Sequence, residues 1–227
     1  MESGFDVKRS GIFKELEKKS LYTRSCEVLF NLFLRAYPEM KLNWKDNRKN
    51  WTKKILTFFG ELGNVYNYFV CLNKEYGFLD IINEPTCEYL VDLCWYYSNE
   101  EETAYWIELA LESELSSKDV DAIKYDFWKL TDVKAYTKIG IFMPSLRDKQ
   151  RVIEEISYLV AYHGIRVPTE RYLVILILNH GVVENEARRI EIVGYEINYF
   201  GDVREVGSKR FPEKLRATGK TKQTSSK

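Results

Sequence analysis

YLVDLCWYYSNEEETAYWIELALESELSSKDVDAIKYDFWKL, residues Tyr89–Leu130, is the stretch on which the fold of this 227-residue chain turns. Its apolar spacing predicts a strand over Tyr89–Tyr97, a turn over Ser98–Glu102 and a longer strand over Thr103–Leu115. Ser116–Asp119 then caps a helix whose apolar positions Val120, Ile123, Phe127 and Leu130 recur at helical spacing. Carboxylates are costly inside strands built for burial, and Asp92 and Glu112 both interrupt such strands. Strict alternation puts Glu108, Glu112 and Glu114 on one face of the second strand, with the apolar odd positions on the other. A hairpin centred near Glu102 sets Asp92 across from Glu112, with side chains roughly 5 Å apart on one face. Two carboxylates that close repel, and one is driven to protonate unless a cation lies between them. Mg²⁺, or Mn²⁺ in its place, answers that need with a shell of carboxylate and water oxygens.

Upstream of this stretch, apolar residues at Cys26, Leu29, Phe30, Phe33 and Leu34 predict a helix over Gly11–Tyr37, ended by Pro38. Lys41–Asn50 reads as a polar, basic loop. A second helix over Trp51–Leu62 takes Asn50 as N-cap and Gly63 as left-handed C-cap. Val65–Leu72 reads as a strand and Gly77–Ile82 as the start of a short one. Downstream come a strand over Tyr136–Met143, a helix over Gln150–Tyr162, a fully covered strand over Arg171–Leu178, and a strand over Arg188–Phe200 with a bulge at Gly194. This order describes an α/β fold, a central mixed sheet flanked by helices. Residues 1–50 form an N-terminal helix and basic loop, 51–206 the α/β domain, and 207–227 a basic disordered tail.

Composition narrows the function classes. Apolar residues at 45% and aromatics at 15% exclude a wholly disordered chain. No apolar run reaches the roughly 18 residues of a membrane span, and the N-terminus lacks a signal-like apolar core, so a cytoplasmic protein is expected. The four cysteines show no zinc spacing and are expected to be reduced. Two histidines, His163 and His180, leave little material for a histidine metal site and read as cap or surface residues. The net charge of zero hides segregation. Residues 1–60 carry 13 Lys/Arg against 7 Asp/Glu, residues 61–125 carry 3 against 14, and residues 206–227 carry 7 against 1. An acidic middle between basic ends fits a metal centre flanked by phosphate-contacting surface; solvated faces and a basic tail are the plain alternative.

LVDLCW (Asp92), LALESEL (Glu112, Glu114), YDFWKL (Asp126, Lys129) and KIGIF (Lys138–Phe142), in this order after a helix carrying GELG, resemble the PD-(D/E)XK nuclease superfamily. The resemblance spans about Trp51 to Phe142 and implies a restriction-endonuclease-like core of helix, strand, hairpin, helix and strand. It implies metal-dependent hydrolysis of DNA phosphodiesters, with branched or structured DNA as candidate substrates. Asp92 and Glu112 would hold Mg²⁺ or Mn²⁺ with the Ser113 carbonyl, and Glu61 would complete the shell. Glu114 stands where the superfamily usually carries lysine, and Lys129 is the candidate replacement. Homodimers are common in the superfamily; the N-terminal helix or Arg188–Phe200 could supply the interface. The composition also resembles that of small nuclease-like proteins of archaeal viruses and plasmids, which act in the host cytoplasm.

Lys45, Arg48, Lys49, Lys53 and Lys54 form a basic cluster ahead of the site that would contact phosphates, with Trp44 and Trp51 as stacking or core residues. Two other readings stay open. One is a nuclease fold that has lost catalysis and serves as a DNA-binding or assembly module, which Glu114 favours. The other is an α/β protein whose acidic face binds another protein. Residue by residue, Glu108 and Glu114 also read as ordinary polar-face positions, and Asp126 and Lys129 as a surface ion pair.

Overall fold

The computed structural model describes residues 25–42, 47–73, 90–98, 105–164, 167–183 and 187–214. These form a seven-stranded mixed sheet and four α-helices, the α/β fold expected. The helices are α1 (Cys26–Ala36), α2 (Arg48–Val65), α3 (Val120–Asp132) and α4 (Lys149–Tyr162). The strands are β1 (Phe69–Leu72), β2 (Leu93–Ser98), β3 (Tyr105–Glu114), β4 (Ala135–Phe142), β5 (Arg171–Val183), β6 (Ala187–Asn198) and β7 (Val203–Lys214).

Each strand lies beside its neighbour in the chain, in the order β1 to β7. The β3–β4 and β4–β5 pairs are parallel and all others antiparallel. Parallel neighbours need a crossover, and α3 and α4 supply the two. A right-handed crossover repeated in one direction puts both helices on the same face. There Phe127, Leu130, Val152 and Ile156 pack on Ala110, Val174 and Leu176. The other face carries α1 and α2, packed on Leu93, Trp95, Leu109, Leu111, Ile139, Ile175 and Ile192. The central strand β5 is apolar on both faces because both are covered.

The helices on the second face divide the sheet between them. α2 covers β1 and β2, while α1 covers β5, β6 and β7. Phe30 of α1 lies against Gly194 of β6, where an added Cβ would come within 2.6 Å of its ring, and against Gly207, the residue paired with Gly194 on β7. Two glycines facing each other across the strands leave the hollow that this ring fills.

Several boundaries differ from expectation, each for a local reason. α2 begins at Arg48 because the Asn47 side chain, not Asn50, accepts the capping bond, 2.8 Å from Asn50 N. Gly63 does not end that helix. An added Cβ would meet the Trp95 ring at 2.6 Å, so the glycine serves close packing of helix on sheet, and Trp95 Nε1 donates to the Phe59 carbonyl at 3.0 Å. β1 is confined to four residues, starting at Phe69. Beside Gly194 the extra residue is Val206 on β7, while β6 keeps its register with β5. Residues 207–214, expected in the disordered tail, complete β7. Lysine and arginine there mark an edge strand with one face open to solvent, the other lying under α1, rather than an unstructured chain. β6 is therefore enclosed between β5 and β7 and offers no edge for a partner. Cys26 and Cys94 are free and buried, but Cys71 is disulfide-bonded, against the expectation of four thiols. The first part of the predicted N-terminal helix, Gly77–Ile82, Trp44, Lys45 and residues 215–227 lie outside the described residues.

Candidate metal centre

The register of the β2–β3 hairpin builds the site. Leu93 pairs with Leu111 and Cys94 with Ala110, so the next step brings Asp92, on the bend that enters β2, opposite Glu112. Asp92 is therefore not a strand residue as expected, but the facing is the one the sequence predicts. Its Oδ2 accepts from Ser113 N at 2.9 Å, and its carbonyl accepts from Asn73 N at 3.0 Å. In an extended strand the N–H and C=O of one residue turn toward the same neighbour, so the Ser113 carbonyl also faces Asp92.

Glu112 is 5% exposed and Asp92 is half-buried. Burial raises the pKa of both carboxyls, Asp92 further raises that of Glu112, and Asp126 adds to the rise at each. The Ser113 N–H and Lys129 oppose the rise at Asp92, and Lys129 opposes it at Glu112. Lys129 Nζ lies 2.8 Å from Glu112 Oε1 and 2.7 Å from Asp126 Oδ1. Burial works against that ammonium, but the two carboxylates outweigh it and hold its pKa above the usual lysine range. Lys129 thus points into the site, not to solvent, and Asp126 joins it as part of one charged network.

Other predicted residues stand apart. Glu114 turns back on the chain: its Oε1 accepts from the Ser116 backbone and hydroxyl and from Ser117 N at 2.9 Å, fastening the turn into α3. Its charge still contributes to raising the Asp92 pKa. Glu108 leaves the alternating series because β3 carries a bulge between its pairs with Trp95 and Tyr96. Ile107, expected beside Leu109, packs instead on the face of Ala110, and Glu108 is buried with the Trp106 indole N–H 3.3 Å from its Oε2. Glu61 lies on α2, in the layer across the sheet from Glu112 and Lys129. Trp51 is fully buried with the Arg48 guanidinium over its ring at 4.5 Å, so it is core and not a stacking residue. Lys53 and Lys49 are exposed on α2, while Lys54 donates to the Lys41 carbonyl at 3.1 Å. His163 contacts Asp132 and His180 contacts Glu191, both away from the site.

The donor set of hard oxygens suits Mg²⁺ or Mn²⁺: two facing carboxylates and a carbonyl turned the same way, with water completing the shell. Among the described residues no cluster of three or more His, Cys, Asp or Glu is arranged to hold an ion, so the protein's share would be the two carboxylates and the Ser113 carbonyl. The pair lies at the carboxyl end of parallel strand β3, where open α/β sheets take their ligands.

Sequence reasoning missed one buried group on the same sheet face. Lys138 of β4 is fully buried, 2.8 Å from Glu170 Oε2 and 3.2 Å from the Tyr172 hydroxyl, which itself donates to Glu170 at 3.0 Å. Burial lowers the Lys138 pKa against the pull of Glu170. The signal was present in AYTKIGIF, a lysine in the middle of a strand with no polar side chain after it.

Comparison with models of protein families, with curated proteins and with solved structures finds no match for this chain. No helix among the described residues is long and apolar enough to cross a membrane.

Proposed function

We propose that this chain is a metal-dependent DNA endonuclease. The observation that carries the reading is the facing of Asp92 and Glu112 at the carboxyl end of β3, with Lys129 2.8 Å from Glu112. The order of elements through α2, β1, the β2–β3 hairpin, α3 and β4 supports a restriction-endonuclease-like core. A bound Mg²⁺ or Mn²⁺ would lower the pKa of a ligated water and offset charge on the phosphate. The chain's own residues have separate tasks. Asp92, oriented by the Ser113 N–H, and Glu112 would hold the ion. Lys129, oriented by Asp126, would supply the positive charge that Glu114 cannot. Arg48, Lys49 and Lys53 would add sequence-independent phosphate contacts from α2.

A second reading, a nuclease-like module without catalysis that binds DNA or serves assembly, draws on the same contact. The Lys129 ammonium already neutralises Glu112, and Glu114 is engaged in the turn. The deciding experiment incubates the protein with supercoiled, linear, single-stranded and four-way-junction DNA in Mg²⁺ or Mn²⁺, beside Asp92→Ala and Glu112→Ala. Cleavage by the unmodified chain alone is the expected result. Cleavage that survives both substitutions overturns the assignment, and binding without cleavage selects the second reading.

A further inference from the structure

The outer surface of α3 and α4 carries aromatic rings that the core does not use. Tyr125 is 66% exposed, Trp128 53%, Tyr158 57% and Tyr162 72%. Soluble chains seldom gather large exposed rings on one face without a ligand for them. Two cross-helix side-chain contacts set how these rings lie together. Lys124 meets Glu155 at 2.7 Å and Asp132 meets His163 at 3.0 Å, each pair 31 residues apart in sequence. The helices therefore run parallel in one register, in which Tyr158 is level with Phe127 and Tyr162 with Thr131. At 1.5 Å rise per residue, the four rings span about 9 Å of height along the helix pair.

Their angular positions agree. Trp128 falls between Lys124 and Asp132 around the α3 axis, the two residues that reach α4, so it leans over the groove between the helices. Tyr162, next to His163, borders that groove from the other side and stacks on Tyr158, ring centroids 4.3 Å apart. On the opposite flank the Lys129 ammonium lies 5.9 Å from the centre of the Tyr125 ring. The set of exposed rings thus has one member, Tyr125, beside the residue that pairs with Glu112, and the other three lie along the same two helices.

We infer that this face is a stacking platform for unpaired bases, and that the substrate delivered to the Asp92–Glu112 centre is single-stranded DNA or the unpaired part of a branched molecule. The inference rests on the reading of that centre as a phosphodiester site and names its substrate class. An intact duplex is the wrong ligand. Its bases are enclosed, so exposed rings on a convex helix face meet only sugars and phosphates, which give a ring nothing to stack on. Unpaired bases offer a π face to each ring, and stacking of this kind is tolerant of sequence.

The test is a fluorescence anisotropy titration of the full chain in EDTA, so that cleavage is not the readout. The probes are a fluorescein-labelled oligo(dT) strand and a blunt hairpin duplex with the same number of nucleotides. The unmodified chain is expected to prefer the single strand. Trp128→Ala and Tyr125→Ala should each weaken single-strand binding by roughly five- to a hundredfold and leave duplex binding within twofold. Trp128→Phe should recover most of the loss, since it restores a ring and no hydrogen bond. Equal losses on both probes, or a change under twofold on the single strand, would overturn the inference. So would sedimentation of the DNA-free chain as a dimer that Trp128→Ala/Tyr162→Ala converts to monomer, because the face would then belong to a second copy. Failure of the nuclease reading is seen separately. Single-strand binding that depends on Trp128, in a chain that cleaves no substrate with Mg²⁺ or Mn²⁺, leaves the platform standing and removes the centre it was held to feed.

Discussion

Lys129 reaches from α3 to within 2.8 Å of Glu112 on β3, across the join between helix and sheet. One ammonium serves two carboxylates, since Asp126 on its own helix lies at 2.7 Å. Removing it leaves two negative groups with Asp92 close by and little solvent to screen them.

Lys129→Met is therefore expected to destabilise the metal-free protein by about 1–3 kcal/mol, read from urea unfolding. Mg²⁺ or Mn²⁺ should restore more stability to the variant than it adds to the unmodified chain, because the ion replaces the missing charge. A variant as stable as the parent in EDTA would show that the contact contributes nothing.

The carboxyls set the pH dependence. Asp92 and Glu112 have folded-state pKa values above those of the unfolded chain, chiefly through burial. The folded state then holds protons that the unfolded state has released, so stability falls as pH rises. Their contribution is complete below the ordinary carboxylate range and is lost as pH climbs through the raised values. Thermal unfolding in EDTA from about pH 5 to about pH 8 should give a falling Tm, and Glu112→Gln should flatten the slope. Divalent cations should oppose the fall by binding the deprotonated pair. A slope that Glu112→Gln leaves unchanged would count against this account.

Lys138 and Glu170 predict a different pattern. Lys138→Met leaves Glu170 in the interior with, among the described residues, only the Tyr172 hydroxyl to bond its side chain, and is expected to cost about 3–5 kcal/mol. Lys138→Met/Glu170→Met removes both charges and should be less damaging than the single change, a coupling visible in a double-mutant cycle. Additive losses would mean that the two groups do not depend on each other.

Gly194→Ala tests the seat of α1. The added methyl would press into the Phe30 ring, at an expected cost of about 1–3 kcal/mol in chemical unfolding. Phe30→Leu should relieve part of it, so that the pair of changes costs less than their sum. Strict additivity would show that the crowding at Phe30 is not what opposes the methyl.

How much could be read beforehand depended on how local the signal was. Helical spacing at Val120, Ile123, Phe127 and Leu130 and the continuous run of β5 carry their own structure in a few residues, and both elements were legible. The facing of Asp92 and Glu112 was legible as an outcome, although it depends on the bulge in β3: the pairs from Ser98–Tyr105 to Tyr96–Ile107 run one residue out of the expected register, and the extra Glu108 restores it before Leu93 meets Leu111. The bulge itself was not legible. Glu108 is the extra residue there, and alternation computed from sequence has no way to mark where one strand skips a partner. β7 was hidden for another reason: an edge strand with solvent on one face is rich in the Lys, Arg and Gly that also mark a tail. Gly63 and Gly194 carry no side chain to reveal that a Trp ring and a Phe ring depend on the space beside them.

The seating of α1 has a consequence for synthesis. Among the described elements a ribosome releases this helix before any other, yet it covers β5 to β7, which are made after all the rest. α2, β1, the β2–β3 hairpin, α3 and β4 can assemble in the order they appear, since each strand pairs with the one just made. Phe33 finds the Phe58 and Phe59 rings as soon as α2 is made, but the hollow that seats Phe30 does not exist until β6 and β7 bring Gly194 and Gly207 together. A growing copy therefore carries an uncovered Phe30 from the making of α1 to that of β7, and chaperone capture or premature association should concentrate there.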